Sequence, residues 1–555
     1  MKSYCLLILF CLTGHLMAQE PECFALHTNQ DVYVSGETIW YKVHLLQKSL
    51  SSRIIHVDLL DLKGQVIEHQ QHLIDSPLAG EIEIPTDLSS GQYSLRVYTQ
   101  WNLNYGPQFQ YLRKLPIYGI NDRTALYRYP HQRSTRRSED SLQIAIRMIS
   151  TPTVGGKGLV QIALSDQEGR SVRANLSVSI AAESLQAEGH SDVVGHKGQH
   201  RRLPAGKPSG LFPPEKKLFL RGTAYEAERW KELETSYLSI WDVEKVKNTW
   251  RKTGTDGRFE MPLEDFNGSR VMQIHDFELF HNPEARIALD EASARWPWTE
   301  QEQGQGRADL VIDRMVNEAR MRKQFRKVFS MVPQPERVVL DSLISPFKPD
   351  KLYNLNKYIT FESLEAFVSD GIPWARITKM DNGNLSLRIA NYETKQPYMF
   401  PPLYLIDHHI AIDEDRLLKM EWKKLSRIEQ FFKTRTLEKQ WGALGRNGIM
   451  SLYTRAINGR NYASVSNTFD IEGFHEAKAF APKLAPNPGK DPLPVLRPVI
   501  HWDPDLQTDA SGQVQLDFTH TNAVGDFVIR VQGTDANGRP CGGVARYTIN
   551  PTKSK

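Results

Sequence analysis

The feature that most limits what this chain can fold into is its punctuation. Short runs that alternate apolar and polar residues are each closed by a turn containing Gly, Asp or Ser. Val32 and Val34 precede Ser35-Gly36-Glu37, and Ile39, Tyr41 and Val43 follow it. Residues 54–60 and 66–73 flank Asp61-Leu62-Lys63-Gly64, and residues 91–98 alternate again. A period of two puts alternate side chains on opposite faces, so each run covers one side of a core and needs a second sheet opposite. The expected fold class is mainly β. At 555 residues there is room for several such domains.

The first residues bear on the compartment. Lys2 is followed by the apolar run from Cys5 to Leu12, and Met17-Ala18-Gln19 offers a small residue for cleavage. That is the pattern of a signal peptide over residues 1–18, and the run is too short to span a bilayer. The expected location is exported, periplasmic or outer-membrane associated in a Gram-negative bacterium. Of four cysteines, Cys5 and Cys11 would leave with the signal. Cys23 and Cys541 would then fall in different domains, which favours two free thiols over a disulfide. Gln19-Glu20-Pro21-Glu22, before Cys23, lacks the small apolar pattern of a lipidation signal. Removing residues 1–18, with Lys2 and no acid, takes the net charge from +4 to +3. A near-neutral chain of mixed signs carries no electrostatic footprint for nucleic acid.

Several segments resemble known families. "HTNQDVYVSGETIWYKVHLL" (27–46) and "SSGQYSLRVYTQW" (89–101) resemble the second macroglobulin-type (MG2) domain of alpha-2-macroglobulins. The resemblance implies a β-sandwich over residues 22–119. Residues 140–187 read as a second macroglobulin-like sandwich completed by later strands. The Gly- and His-rich stretch 188–210 reads as a mobile loop. Residues 216–290, with Thr255-Asp256-Gly257-Arg258-Phe259 as a turn, resemble carboxypeptidase regulatory-like domains. Residues 309–345 form a helical linker, with Leu310, Ile312, Met315, Val316 and Ala319 along one side.

Residues 350–456 have a mixed helix and strand order that resembles the plug domain of TonB-dependent outer-membrane receptors. The match rests on Pro402-Leu403-Tyr404-Leu405-Ile406-Asp407, on Ser426-Arg427-Ile428-Glu429 and on the Gly-rich run from Gly442 to Leu452. The family turn is Leu-Ile-Asp-Gly, whereas this chain has Asp407-His408. A receptor barrel needs on the order of twenty strands, and only residues 457–555 follow, so a plug without a barrel is expected. Residues 490–555 read as a C-terminal β domain with a turn at Asp509-Ala510-Ser511-Gly512. The full expectation is therefore macroglobulin/Ig-like β-sandwiches plus one small α+β plug-like domain.

Chemistry is sparse. Asp407-His408-His409, at the end of an apolar strand, is the one run with metal-ligand character. With two metal ions it would suit a phosphoesterase, but the preceding 100 residues lack companion Asp- and His-bearing strand ends. Asp413, Glu414 and Asp415 suit the first turn of a helix instead. Neither Cys23 nor Cys541 begins the Cys-Gly-Glu-Gln thioester run that macroglobulins use to trap proteases. Other nucleophile, phosphate-loop and dinucleotide patterns are absent from the sequence. The expectation is a non-enzymatic scaffold or interaction protein with no cofactor. Its plug-like domain would contact an outer-membrane barrel or envelope complex protein through Asp407, His408, Gly442, Gly445, Arg446 and Asn447. The alternative is a transport accessory that binds glycan or peptide, with Trp40, Trp101, Trp374 and Trp502 as stacking candidates.

Overall fold

The computed structural model describes residues 20–122, 141–186, 211–226, 231–276, 285–291, 293–294, 313–321, 343, 345–358, 361–463, 467–480 and 498–550. The expected signal peptide, the loop 188–210 and most of the linker 309–345 lie outside them. The chain divides into two compact units. Met1–Lys217, Ala292–Met331 and Phe474–Lys555 form the first; Leu218–Glu291 and Val332–Gly473 form the second.

The first unit opens with a sandwich continuous in sequence. Its strands are Phe24–Thr28 (β1), Tyr33–Val34 (β2), Thr38–Leu45 (β3), Ile54–Leu60 (β4), Val66–Leu73 (β5), Ala79–Glu83 (β6), Gly91–Tyr98 (β7) and Tyr111–Tyr118 (β8). One sheet runs β1-β3-β6 and the other β2-β8-β7-β4-β5. Leu26, Ile39, Tyr41 and Val43 meet Val57, Leu59, Leu95, Val97, Leu115 and Ile117 between them. Gly36 turns β2 into β3 at φ +87°, a conformation that a side chain there would strain.

The second sandwich begins with Gln143–Ser150 (β9), Lys157–Ser165 (β10) and Ala174–Ala182 (β11). Three strands cannot cover both sides of a core, and here the chain leaves for the second unit. That unit starts with Phe219–Tyr225 (β12), Tyr237–Asp242 (β13), Lys247–Lys252 (β14), Arg258–Pro262 (β15), Ser269–Asp276 (β16) and Arg286–Leu289 (β17). They form the sheet β15-β12-β17 and most of a four-stranded sheet β14-β13-β16, which still lacks its edge.

A mixed-sheet module follows, with Lys351–Asn354 (β18), Ala375–Lys379 (β19), Leu385–Ile389 (β20), Leu403–Ile406 (β21), His409–Ala411 (β22), Leu425–Phe431 (β23) and Ile449–Thr454 (β24). Its sheet runs β18-β23-β24-β21-β22, and β19-β20 is a separate ribbon. Helices Leu364–Gly371, Glu414–Leu418 and Thr434–Trp441 complete it. Only then does Thr468–Glu472 (β25) pair with β16 and finish the earlier sheet.

Back in the first unit, Val499–Gln507 (β26), Gln513–Thr519 (β27), Gly525–Asp535 (β28) and Pro540–Ile549 (β29) complete the second sandwich as β27-β10-β9 and β26-β11-β28-β29. This corrects the expectation of a separate domain over residues 490–555. Val178, Ile180, Ile529 and Val531 share one core, and neither half has enough strands to bury its apolar face alone. Likewise, the 216–290 segment takes its last strand from beyond the mixed sheet. The layout is nested: a sandwich interrupted by a second unit, whose own sandwich is interrupted by the mixed sheet. Closing a long loop costs little more than closing a moderate one, so such insertions are tolerated. The protein is mainly β and multi-domain, built from β-sandwiches and one mixed-sheet module.

Within the first unit the two sandwiches meet through buried polar groups. The Ser177 hydroxyl lies 2.7 Å from His27 Nδ1 and 2.8 Å from His44 Nε2, and Ser179 lies 3.2 Å from His27 Nε2. Burial holds both imidazoles well below their ordinary pKa, so the contact is between neutral groups. Beside it, Asp31 accepts from Arg113 and, at 2.8 and 3.0 Å, from Arg530. A helix through residues 313–321 adds Met315, Val316 and Ala319 to a cluster with Val32, Val34, Tyr118 and Ile120. Leu310 and Ile312 lie outside the described residues. Cys23 and Cys541 are not joined in a disulfide, and burial pushes the Cys541 thiol well up from its usual value.

Candidate functional site in the mixed-sheet module

The Asp407-His408 turn joins β21 to β22, with Ile406 opposite His409. Both turn residues have positive φ, +45° and +69°. A two-residue hairpin loop of this kind follows the right-handed twist of its strands, and it usually has Gly in second place. Here His408 takes the left-handed position, and the surroundings hold it there. The Asp407 carboxylate accepts from Thr454 N at 2.8 Å, Thr454 Oγ1 at 2.5 Å and Asn458 N at 2.9 Å. Gly459 lies against the turn so closely that a Cβ there would fall 2.8 Å from Asp407 Cβ and overlap the Ile406 carbonyl.

The hairpin is also gripped by the preceding sandwich of the same unit. Trp241 Nε1 on β13 donates to the His408 carbonyl at 2.7 Å. The Gln273 side chain on β16 accepts from Ile410 N at 2.6 Å and donates to Ile410 O at 3.0 Å. One amide thus satisfies both backbone groups of a strand residue, as a neighbouring strand would. Trp241 stacks on Trp441 at 6.1 Å in a cluster with Leu405, Phe431 and Leu437. Nothing in the sequence pattern singled out Gln273 or Trp241. A buried glutamine in an apolar strand was the available signal.

In the described structure all three residues are engaged by groups of their own chain. Asp407 is 3% exposed and His408 6%. The Asp407 oxygens are occupied by donors of their own chain. His408 Nε2 lies 3.5 Å from the Tyr453 hydroxyl, and His409 Nδ1 lies 3.1 Å from the Asp407 carbonyl. Burial, helped by nearby Arg427, brings the His408 pKa from 6.5 down to about 4, and burial also lowers that of His409. Among the described residues no group of three or more His, Cys, Asp or Glu side chains could hold a metal ion. Of the expected contact residues, Gly445 and Asn447 are buried with Asp407 and His408, while Gly442 and Arg446 are exposed.

Glu414 is a second internal hub. It accepts from Tyr404 OH at 2.5 Å, Leu387 N at 2.7 Å and Ser386 Oγ at 2.9 Å, while Asp415 accepts from Leu385 N at 3.0 Å. These carboxylates occupy the outer edge of β20. They sit at the start of helix Glu414–Leu418, where Asp413 is the cap.

The exposed chemistry of the module lies elsewhere. Trp374 stacks on Phe432 at 5.9 Å and leans on Tyr392 at 5.5 Å. The Lys395 ammonium lies 4.5 Å from the Trp374 ring centroid and 4.1 Å from that of Tyr392, and Lys433 is 5.3 Å from Tyr392. Tyr392 is 41% exposed, and Met399 80%. Asn391 and Glu393 tie this loop to Thr434, at the start of helix Thr434–Trp441, and Gly442 and Arg446 follow the helix end. Of the other tryptophans weighed for stacking, Trp101 and Trp502 are buried, and Trp40 packs edge-on against Phe480.

No family model matches the chain, and no curated protein sequence matches it. Among solved structures, native Escherichia coli alpha-2-macroglobulin aligns with 96% of this chain and 40% of its own, at 10% identity and TM-score 0.24. The trypsin-activated form of that protein covers 96% and 42%, at 9% identity and TM-score 0.24. A putative membrane-anchored protein from Corynebacterium diphtheriae covers 51% and 61%, at 10% identity and TM-score 0.13. The chain spans less than half the length of the macroglobulin it aligns with. Scores at this level carry no argument about arrangement or activity.

Proposed function

We propose that this chain is a non-enzymatic scaffold of a bacterial cell envelope, exported and stationed in the periplasm or at the outer membrane. The mixed-sheet module is its contact element for a protein partner, an outer-membrane barrel or a member of an envelope complex. The observation that carries the reading is how the module spends its residues. Asp407, His408 and His409, its candidates for chemistry, are engaged by groups of their own chain, while Trp374 and Tyr392 stay part-exposed beside Lys395 and Lys433 and Met399 is exposed. Exposed aromatic and Met residues are enriched in protein contact surfaces. The resemblance of residues 350–456 to receptor plug domains supports the same reading and suggests the class of partner.

The part-exposed Trp374 and Tyr392 rings also favour one alternative, a transport accessory that stacks a glycan or peptide there. One experiment separates the two. The tagged full chain is recovered from detergent-solubilised envelopes, alongside a variant carrying Tyr392→Ala and Met399→Glu, and co-purifying proteins are identified by mass spectrometry. The scaffold reading expects a stoichiometric envelope protein with the native chain and its loss with the variant. Recovery of the chain alone, together with glycan or peptide binding by the purified protein, would favour the alternative.

A further inference from the structure

The first sandwich carries a segment that does not belong to its own run of sequence. Immediately after Gly473, Phe474 makes a parallel bridge with Gln71 on β5, and His475 N–H donates to Gln71 O at 2.8 Å. β5 is the edge of its sheet and β6 the edge of the other, so residues 474–480 run along the seam between them. At the β6 side, Glu81 accepts from Lys478 N at 3.1 Å and sits 3.3 Å from His475 Nε2 and 3.4 Å from Lys478 Nζ. Lys478 Nζ also lies 3.7 Å from Glu83. Phe480 closes the segment edge-on against Trp40 at 5.3 Å, and His475 meets His72 at 5.5 Å.

At Gln71 the contact has the form of strand addition, with one backbone bond to the edge strand. Backbone bonds to an open edge give affinity, and a few side-chain anchors give sequence preference. The anchors are an aromatic at each end, a histidine, and a lysine facing two glutamates. Between them the segment is thinly held. Phe474 is 2% exposed, but Glu476, Ala477, Lys478 and Ala479 are exposed. Few buried contacts and exposed backbone mark a segment that opens before the sandwich does.

We propose that the β5–β6 seam is an acceptor site for an extended peptide with an aromatic–basic–aromatic pattern, occupied in cis by residues 474–480. The charge of Glu81 and Glu83 selects the basic residue, and Trp40 selects the distal aromatic. A partner segment of that chemistry then competes with the strap. If the strap is closed nine-tenths of the time, a competing peptide binds about ten-fold more weakly than to the open seam.

The test uses a fluorescently labelled peptide of sequence FHEAKAF and the full chain. Phe474→Ala, Lys478→Glu and Phe480→Ala together weaken the resident strap, and a circular dichroism melt checks that the variant stays folded. Fluorescence anisotropy should show the peptide binding this variant at least ten-fold more tightly than the unmodified chain. Adding Glu81→Lys should abolish that binding. Equal affinity for the variant and the unmodified chain, or indifference to Glu81→Lys, would overturn the proposal. Hydrogen exchange on the unmodified chain gives a reading that needs no variant. The His475 amide should exchange well before those of Val57 and Val97, and exchange only on global unfolding would mark the strap as a fixed part of the sandwich.

Discussion

The two sandwiches of the first unit use the same kind of strand and close in opposite ways. In the first, successive strands are joined by turns within residues 24–118. In the second, β10 pairs with β27 and β11 with β28 across more than 300 residues, with the whole second unit between them. The first core depends on local turn chemistry, the second on a match between two distant surfaces. Long-range pairings must meet the entropy of loop closure before they gain any contact energy. The second sandwich should therefore form later.

The largest expected effect comes from the charge that both sandwiches share. Asp31→Ala leaves Arg113 and Arg530 buried without their carboxylate and should cost about 3–5 kcal/mol, measured by urea unfolding of the full chain. A double-mutant cycle with Arg530→Met should recover part of that loss. Additive losses would mean that the ion cluster does not couple the sandwiches. Next, Ile529→Ala in β28 should cost about 2–5 kcal/mol. It should also deprotect the amides of β10 and β11, far away in sequence, while β4 and β7 stay protected. Equal loss in both sandwiches would remove the contrast between them.

The mixed sheet repeats the contrast on a smaller scale. Its Asp407-His408 turn is local, yet its hydrogen-bond partners lie 47–51 residues away at Thr454 and Asn458. Asp407→Ala strands those donors and should cost about 1–3 kcal/mol. His408 adds a pH signature. Its pKa is about 4 when folded against 6.5 ordinarily, so the unfolded chain binds more protons between those values. Its contribution is complete above about pH 6.5 and is lost as pH falls towards 4; His408→Gln should flatten that part of the stability profile. Smallest of all, Tyr392→Ala on the exposed face should change stability by less than about 0.5 kcal/mol while removing partner recovery.

How much of this was legible in the sequence follows the same division. The alternation in β3, β7, β27 and β28 and the turns at Gly36 and Gly512 could be read directly, because period and turn chemistry are local properties. The joining of residues 143–182 to residues 499–549 could not be read so directly. An apolar face announces that it needs a partner, not which one. The same holds at the candidate site. Asp407 and His408 stood out because their residue types suit chemistry, but only the fold shows that Thr454, Asn458 and Trp241 have already engaged them. Gln273 went unnoticed because a polar residue in a strand has many ordinary uses, and Glu414 reads in sequence as a first-turn acid of its helix, not as an acceptor for β20. The accessible group at Tyr392 and Met399 lies in a loop without periodicity, where sequence gives no indication of exposure.

The most direct test of the nested architecture is a cross-link between its two halves. Gln161 on β10 lies opposite Gln515 on β27, and directly opposed antiparallel residues are spaced about right for a disulfide. Gln161→Cys and Gln515→Cys are introduced together in the full chain, the protein is oxidised, and the linked peptides are identified by mass spectrometry. The account predicts an intramolecular bridge between residues 161 and 515, with a melt at or above that of the reduced form, because the bridge closes a long loop in the unfolded chain. Thiols that stay free, or bridges that form only between molecules, would contradict it.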